Sequence, residues 1–467
     1  MLEVLINKLK ETKMSTKALE ICLEVHKQNG TAYITGGAVR DLLLGRPCKD
    51  VDLEVFGISQ ETLETILNSV CSKVDLVGKS YGIYKADGID VGFPRRDMTH
   101  GKGADVEIDP YMSVEEAALR RDLTINAMYF NPITMEIIDP FGGQKDLRYE
   151  IVRMVSPHTF NEDPLRPVRA ARFCAVLGYF PESSTVMACR KADRDKIHNL
   201  PKERIFWELE KVLMEADATS IFFEELDEME LTEILFPELH LSKQIEQGKC
   251  YHPEGSVYAH SLLALNILPI KERSLEIMLA TLFHDLGKAS VETEVNGDKI
   301  SFKGHAEDLT LATSAMARLT DEKELTESVL NLIKHHMHPY QFKNGVTKRQ
   351  IRRLASKVDV RKLMKVHKAD REGRGYSEEN HSHAQRNAEV ADKIMAVFEE
   401  IEGEIAPIMQ GRHLIEAGWI PGKHFGYILA QLYEYQLDGE LVDVASGLKL
   451  AHTLFGGVKK STVVKGA

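Results

Sequence analysis

Apolar positions over residues 3–29 recur at the three- to four-residue spacing of an amphipathic helix. Thr31–Thr35 reads as a short strand running into Gly36, residues 39–44 return to helical spacing, and residues 49–56 read as a second strand. Ser59 is a good N-cap for a helix reaching about residue 70, and Glu61 then falls in its first turn, where the helix dipole favours an acid. Further strands are predicted at 81–85 and 88–93. The next segment, PRRDMTHGKGADVEI (94–108), is charged and glycine-containing and reads as a mobile loop. Beyond Asp163 the periodicity is almost wholly helical. The pattern is that of an α+β protein, a small mixed head followed by a long α-helical body. Linkers are expected near 181–184, 237–247 and 373–379, and no internal repeat is evident.

Composition narrows this picture only in places. The 467 residues suffice for about two to four domains, and a hydrophobic fraction of 43% allows real cores. No stretch approaches the length and apolarity of a membrane span. The opening MLEVLINKLKETK lacks a continuous apolar run and a small-residue cleavage site, so no signal peptide and no membrane partner are expected. Six cysteines (Cys22, Cys48, Cys71, Cys174, Cys189, Cys250) occur without a CxxC pair, which fits a reducing, cytoplasmic setting and argues against a disulfide framework or a cysteine zinc site. The net charge of −12 disfavours a nucleic-acid partner globally. Residues 341–375, however, hold twelve Lys/Arg against three Asp/Glu, +9 locally. That run fits a solvated helical face as well as a stripe for RNA phosphates.

Chemistry concentrates first in GGAVRDLLLG (36–45) and the two acids that follow, Asp50 and Asp52. Residues i and i+2 of a strand share a face, so these carboxylates present hard oxygens side by side, suited to a pair of magnesium ions. Two such ions align a hydroxyl and a triphosphate for in-line displacement. Gly36 and Gly37 let the backbone offer N–H groups to phosphates, and Arg40 supplies positive charge. Solvated acids after a turn are the bland alternative.

Further motifs occur in order: KDVDLEV, RRDLTINAM (120–128), DPFGG (139–143), EDPLRPVRAARF (162–173) and ERI (203–205). With them the chain resembles the bacterial class II tRNA nucleotidyltransferases, the CCA-adding enzymes, and the related bacterial poly(A) polymerases. The resemblance implies a DNA-polymerase-beta-like nucleotidyltransferase head (1–162), a helical neck (163–236) with a base-reading motif and RNA-binding role, an HD domain (237–376) and a helical C-terminal tail (377–467). It implies Mg2+ on Asp50 and Asp52, and a third acid, Asp90, taking the proton of the RNA 3′ hydroxyl; an acid ending a strand is otherwise often only solvated. Arg120, Arg121, Asp122 and Asn126 resemble the family's sugar- and triphosphate-contacting motif, although RRD before a helix also reads as a capped start. Arg169 reaches towards nucleotide phosphates in this reading, and Arg172 supports the helix.

In the resembling family EDxxR reads the incoming base, here Glu162, Asp163 and Arg166. A carboxylate accepts from the exocyclic amine of cytosine or adenine, and a guanidinium donates to their unprotonated ring nitrogen. Uracil and guanine would set acceptor against acceptor and donor against donor, at about 1–3 kcal/mol for each unpaired buried group. Glu162 is expected to orient Arg166. Asp163 before Pro164 alternatively reads as an N-cap with proline at N1.

A second cluster follows. His260, the doublet His284–Asp285 in FHDLGKA, and Asp370 resemble the metal-binding set of HD phosphohydrolases, which implies a divalent ion of uncertain identity and a phosphodiesterase or phosphatase activity. His305, His335 and His336 fit a second metal or phosphate contact, or ordinary core histidines. In the tail, Tyr427 and Tyr433 read as packing residues. The expected activity is addition of CMP and AMP from CTP and ATP to the tRNA 3′ end, with no obligate protein partner. CC-only, A-only or poly(A) addition stay open, as does an RNA-end phosphohydrolase whose head only binds RNA. In the family a shortened loop after the catalytic strands accompanies loss of the final A, and 94–108 is full length.

Overall fold

Alternation along β1 (Thr31–Thr35) buries Ala32 and Ile34 and makes this strand the centre of the first unit. The computed structural model describes residues 13–48, 50–77, 82–98, 105–342, 345–375, 378–401 and 405–456. The chain divides into two compact units at Leu235/Phe236.

In the first unit, β1 lies antiparallel to β2 (Asp52–Phe56) and to β8 (Tyr129–Asn131). With β3 (Val74–Val77), β4 (Ile83–Ala86), β5 (Ile89–Gly92) and β9 (Glu136–Ile138) they form one sheet in the order β3-β4-β5-β2-β1-β8-β9. Within this sheet only β2 and β5 pair in parallel, and their register sets Asp52 against Asp90. Helix α1 (Lys13–Lys27) buries Ala18, Ile21, Cys22 and Val25, the stripe expected of an amphipathic helix, against β1 and α3 (Gln60–Val70). Between β1 and β2 runs the short α2 (Gly37–Leu43). After the sheet the unit turns helical: α4 (Arg166–Leu177) packs on α5 (Lys202–Glu215) and α6 (Ser220–Glu228).

The second unit gathers α7 (Val257–Leu265), α8 (Leu275–Phe283), α9 (Lys323–His335) and α10 (Val360–Glu372). α8 is apolar nearly all round and carries seven consecutive buried residues from Ile277 to Phe283, as befits a central helix. A separate small core of Leu414, Trp419, Ile428 and Leu432 closes the tail helices. No described helix is long and apolar enough to cross a membrane.

Several expectations need correction. The second strand begins at Asp52, so Asp50 stands in the approach to it rather than on it. The 94–108 segment is an antiparallel ribbon at both ends, β6 (Arg95–Met98) against β7 (Asp105–Ile108), while 99–104 lie outside the described residues. The 181–184 stretch is no linker: β10 (Ile151–Val152) pairs with β11 (Phe180–Pro181), and Glu182 caps the next helix through Ser184 N and Thr185 N. Most of 237–247 is helical too. The helical body also contains a hairpin, β12 (Thr293–Asn296) and β13 (Lys299–Phe302). Tyr433 donates to Ile405 O, but Tyr427 is 63% exposed and is not a core residue.

Candidate functional site

Gly36 adopts φ 66°, ψ −131°, a conformation open only to glycine, which lets β1 turn directly into α2. Two guanidinium groups cover this turn. A Cβ on Gly36 would meet Arg121 Nη1 at 3.5 Å, and one on Gly37 would meet Arg40 Nη2 at 3.4 Å. Arg121 is held from below by Glu54 (2.7 Å) and Thr35 (3.2 Å), and Tyr129 donates to the same Glu54 oxygen. Arg40 binds Asp41 (2.8 and 2.9 Å) and Asn126 (2.7 Å).

Asp52 and Asp90 are register partners on adjacent strands and so share a face, and Glu54 follows two residues on. The Asp52 carboxyl is raised above its ordinary range, first by burial, then by Asp90, Asp50 and Glu54, with Arg121 opposing. A face where acids repel one another and the oxygens are hard fits a divalent cation, which would relieve that repulsion.

From Asn126 a chain of polar contacts runs into the helical part of the unit. Asn126 donates to Asp122, Asp122 accepts from Arg169 (2.7 and 2.8 Å), and Arg169 and Arg172 both reach Glu208 on α5. The Asp122 carboxyl falls to about 2: burial alone would raise it, and Arg169, Asn126 and Leu123 N–H outweigh burial. Arg40, Arg169 and Arg172 surround the Phe173 ring at 4.9, 5.7 and 3.9 Å. Arg169 is thereby a scaffold residue as well as a candidate phosphate contact.

The EDxxR segment is arranged differently from expectation. α4 begins at Arg166 with Leu165 as N-cap, so Asp163 is not its cap and Pro164 is not its first residue. Asp163 accepts from Leu165 N and from Arg204 on α5 at 2.8 and 3.1 Å. Arg166 is oriented by main-chain carbonyls, Thr159 O and Arg120 O, rather than by Glu162. Glu162 instead faces His158 at 3.4 Å. A carbonyl fixes a guanidinium as well as a carboxylate does and leaves no second charge beside it.

In the second unit the histidine rings converge. His260 Nε2 lies 3.1 Å from Asp370 Oδ1, and His284 Nε2 lies 3.2 Å from Asp285 Oδ2. His305 and His336 place Nε2 at 3.3 and 3.8 Å from the other oxygen, Asp285 Oδ1. Thus two ligand groups, His260–His284–Asp370 and Asp285–His305–His336, share Asp285 as a bridge. The Nδ1 atoms of His284, His305 and His336 each donate to a carbonyl three residues back, Thr281, Phe302 and Ile333. That fixes the proton on Nδ1 and aims the Nε2 lone pair into the cluster. Glu254 Oε1 stands 2.9 Å from His260 Nδ1 and sets a negative charge beside that ring. Burial holds His336 down at about 3, so its ring is neutral, as a ligand must be. Among the described residues the buried His284 Nε2 has no hydrogen-bond partner, which leaves its lone pair free for a metal. Donor set and tautomers therefore fit a divalent ion. His335 is not part of the cluster; it pairs with His338 at 3.4 Å.

The basic run is largely spoken for. Lys348, Arg349, Arg353, Arg361, Lys362, Lys368, Arg371 and Arg374 all pair with acids within the unit. This favours a structural over an RNA-binding reading of the stripe. Sequence reading missed Glu54, Arg204, Glu208, Glu254, Lys288 and Tyr340. Three carried a signal: Glu54 continues the alternation of Asp50 and Asp52, Arg204 lies within ERI, and Lys288 lies within FHDLGKA.

The chain matches three protein families: "Poly A polymerase head domain" over 32–153, "Probable RNA and SrmB- binding site of polymerase A" over 178–242, and "HD domain" over 257–397. It is 32% identical over 335 residues to a "Multifunctional CCA protein" of Acinetobacter baylyi, covering 69% of this chain and 78% of that one. The protein of the same name from Tolumonas auensis is 35% identical, with 59% and 66% covered. Among solved structures, a Bacillus stearothermophilus CCA-adding enzyme in complex with CTP shares the fold with TM-score 0.65 at 22% identity, covering 95% and 98%. A Thermotoga maritima CCA-adding enzyme complexed with tRNA gives 0.59 at 20% identity, covering 97% of each chain.

Proposed function

The chain belongs to the HD-bearing class II CCA-adding tRNA nucleotidyltransferases, and from that premise we propose that it adds CMP and AMP, from CTP and ATP, to the 3′ end of tRNA without a template. The observation that carries this reading is the pairing of Asp52 with Asp90 beside a glycine turn covered by two guanidinium groups.

Asp50 and Asp52 would hold magnesium, which when bound supplies positive charge to the attacking oxygen and the triphosphate. The RNA 3′ oxygen forms a bond to the α-phosphorus while its proton passes to Asp90. The bond from that phosphorus to the oxygen bridging the β-phosphate breaks, and pyrophosphate leaves. Arg40 and Arg121 neutralise the triphosphate, and the N–H groups of Gly36 and Gly37 receive its oxygens. Asp122 and Asn126 position Arg40 and Arg169.

Asp163 accepts from the exocyclic amine of cytosine or adenine, and Arg166 donates to the ring nitrogen. Arg204 and the two carbonyls hold these groups at one geometry, which supports discrimination by fixed donors and acceptors. Incubation with tRNA ending at the discriminator base, with CTP or ATP alone and then both, tests the activity. Two C residues from CTP alone and a completed CCA from both are expected. Use of ATP alone, and only after CC, would leave an A-adding enzyme.

The histidine cluster supports a second activity, hydrolysis of phosphoesters at RNA ends or of cyclic nucleotides. His260, His284, Asp285 and Asp370 would hold one divalent ion, and Asp285, His305 and His336 a second. Mixed imidazole and carboxylate ligands suit manganese, nickel, iron or magnesium.

A further inference from the structure

The two metal positions of the histidine cluster differ in one respect that their ligands alone do not reveal. Lys288, one turn after Asp285, places Nζ 2.6 Å from Asp285 Oδ2 and 2.7 Å from Gln247 Oε1. Asp370 Oδ1 lies 3.2 Å from Arg374 Nη2, while Tyr340 donates to Asp370 Oδ2. Asp285 Oδ2 and Asp370 Oδ1 are the same oxygens that face His260 and His284. Among the described residues, Asp285 Oδ1, facing His305 and His336, has no such cation against it.

With Glu254 beside His260, three carboxylates and two protein cations leave the His260–His284 position one negative charge, so a divalent ion alone makes it net positive. Lys288, Asp285 and Asp370 are each at most 8% exposed. A net positive charge in a buried group is costly unless a negative charge enters with the ion. Lys288 is placed to accept such a charge. It lines a cavity of about 400 Å3 together with Gln247, His252, Ser301, Lys303 and His305. Arg374 does not line this cavity, being held by Tyr340 and Asp370.

Resting on the reading of this cluster as a divalent-metal site, we propose that Lys288 is an exchangeable counter-ion that makes metal and phosphate binding interdependent. With the cavity free of anions, Lys288 occupies Asp285 Oδ2 and competes with the metal for that oxygen. A phosphoryl group entering the cavity draws the ammonium away, frees the oxygen and restores charge balance. By linkage each ligand then raises the affinity for the other by the same factor. Lys288 acts in this scheme as a positioning residue at the metal and a binding residue for the phosphoryl oxygens.

Manganese titration followed by electron paramagnetic resonance tests this in the full chain carrying Asp50→Asn and Asp52→Asn, so that the head contributes no ion. Each titration is run with and without inorganic phosphate. Phosphate is expected to tighten manganese binding roughly five- to hundredfold. In Lys288→Met, manganese alone is expected to bind more tightly than in the parent, and the effect of phosphate to fall below about twofold. Lys288→Gln serves as a second neutral variant, with thermal melting as a check on folding. Manganese binding that ignores phosphate in the parent, or coupling that survives both substitutions, overturns the proposal while leaving the metal site standing. No manganese binding under either condition, with no change on His284→Ala and Asp285→Ala, overturns the metal reading and this proposal with it.

Discussion

At the scale of single residues, what orients a functional side chain decides more than its identity. Arg204 grips both oxygens of Asp163, so Arg204→Met is expected to loosen base selection without abolishing transfer. Single-turnover assays should show incorporation of UMP or GMP rising relative to CMP, with discrimination falling roughly tenfold for a loss of about 1.4 kcal/mol. Equal losses for all four nucleotides would deny Arg204 that role. Glu225 on α6 offers a pH test. Among the described residues its Oε2 is buried without a hydrogen-bond partner, and burial, followed by Glu228 and Glu224, pushes the carboxyl up to about 7. The folded chain thus holds a proton the unfolded chain releases near 4.5. Its contribution is whole below that value and is lost as pH rises through 7. Glu225→Gln should therefore raise the melting temperature at about pH 8.5 and change it little at about pH 4. The EDxxR motif itself was legible in the sequence, but its partners were not. Arg204 lies 41 residues from Asp163, and main-chain carbonyls leave no trace in residue type.

At the scale of elements, the β1–α2 turn is the tightest constraint. Gly36→Ala puts a side chain at φ 66°, ψ −131°, with its Cβ under the Arg121 guanidinium. Such backbone strain costs about 1–3 kcal/mol. A lower melting temperature and a sharp loss of nucleotide transfer are expected, while phosphohydrolase activity persists; full transfer activity would show that the turn tolerates a Cβ. Periodicity revealed β1, α1, α3 and the helical body because each buries one regular face. It missed β8 and β9, each only three residues long, as well as β3, whose residues are largely exposed, and the β12–β13 hairpin, exposed along most of its length. A strand without a buried face has no alternation to read. The start of β2 was misplaced because the alternating acids extend beyond the point where pairing with β1 begins.

At the scale of the whole molecule, the two units hold two candidate sites with no residue in common. Asp50→Ala with Asp52→Ala should abolish nucleotide addition and spare phosphoester hydrolysis. His284→Ala with Asp285→Ala should do the reverse. Paired assays of both activities on each double variant check this, and hydrolysis lost in the Asp50/Asp52 variant would place both reactions in the head. Both motif sets were visible as sequence because ligands must keep their residue type. The second candidate ligand group was only half visible: His305 and His336 face Asp285 within it, whereas His335, adjacent to His336 in sequence, points to His338. On a helix, successive residues face directions about 100° apart, so a His-His doublet offers one ring to a given centre.

Three of those rings take their orientation from carbonyls of the main chain. No point substitution deletes a peptide oxygen. Random sequence drift can therefore erase this centre by striking the ligands themselves, but it has few indirect routes through the residues that aim them. Loss of function there should leave an unambiguous scar in a descendant's sequence.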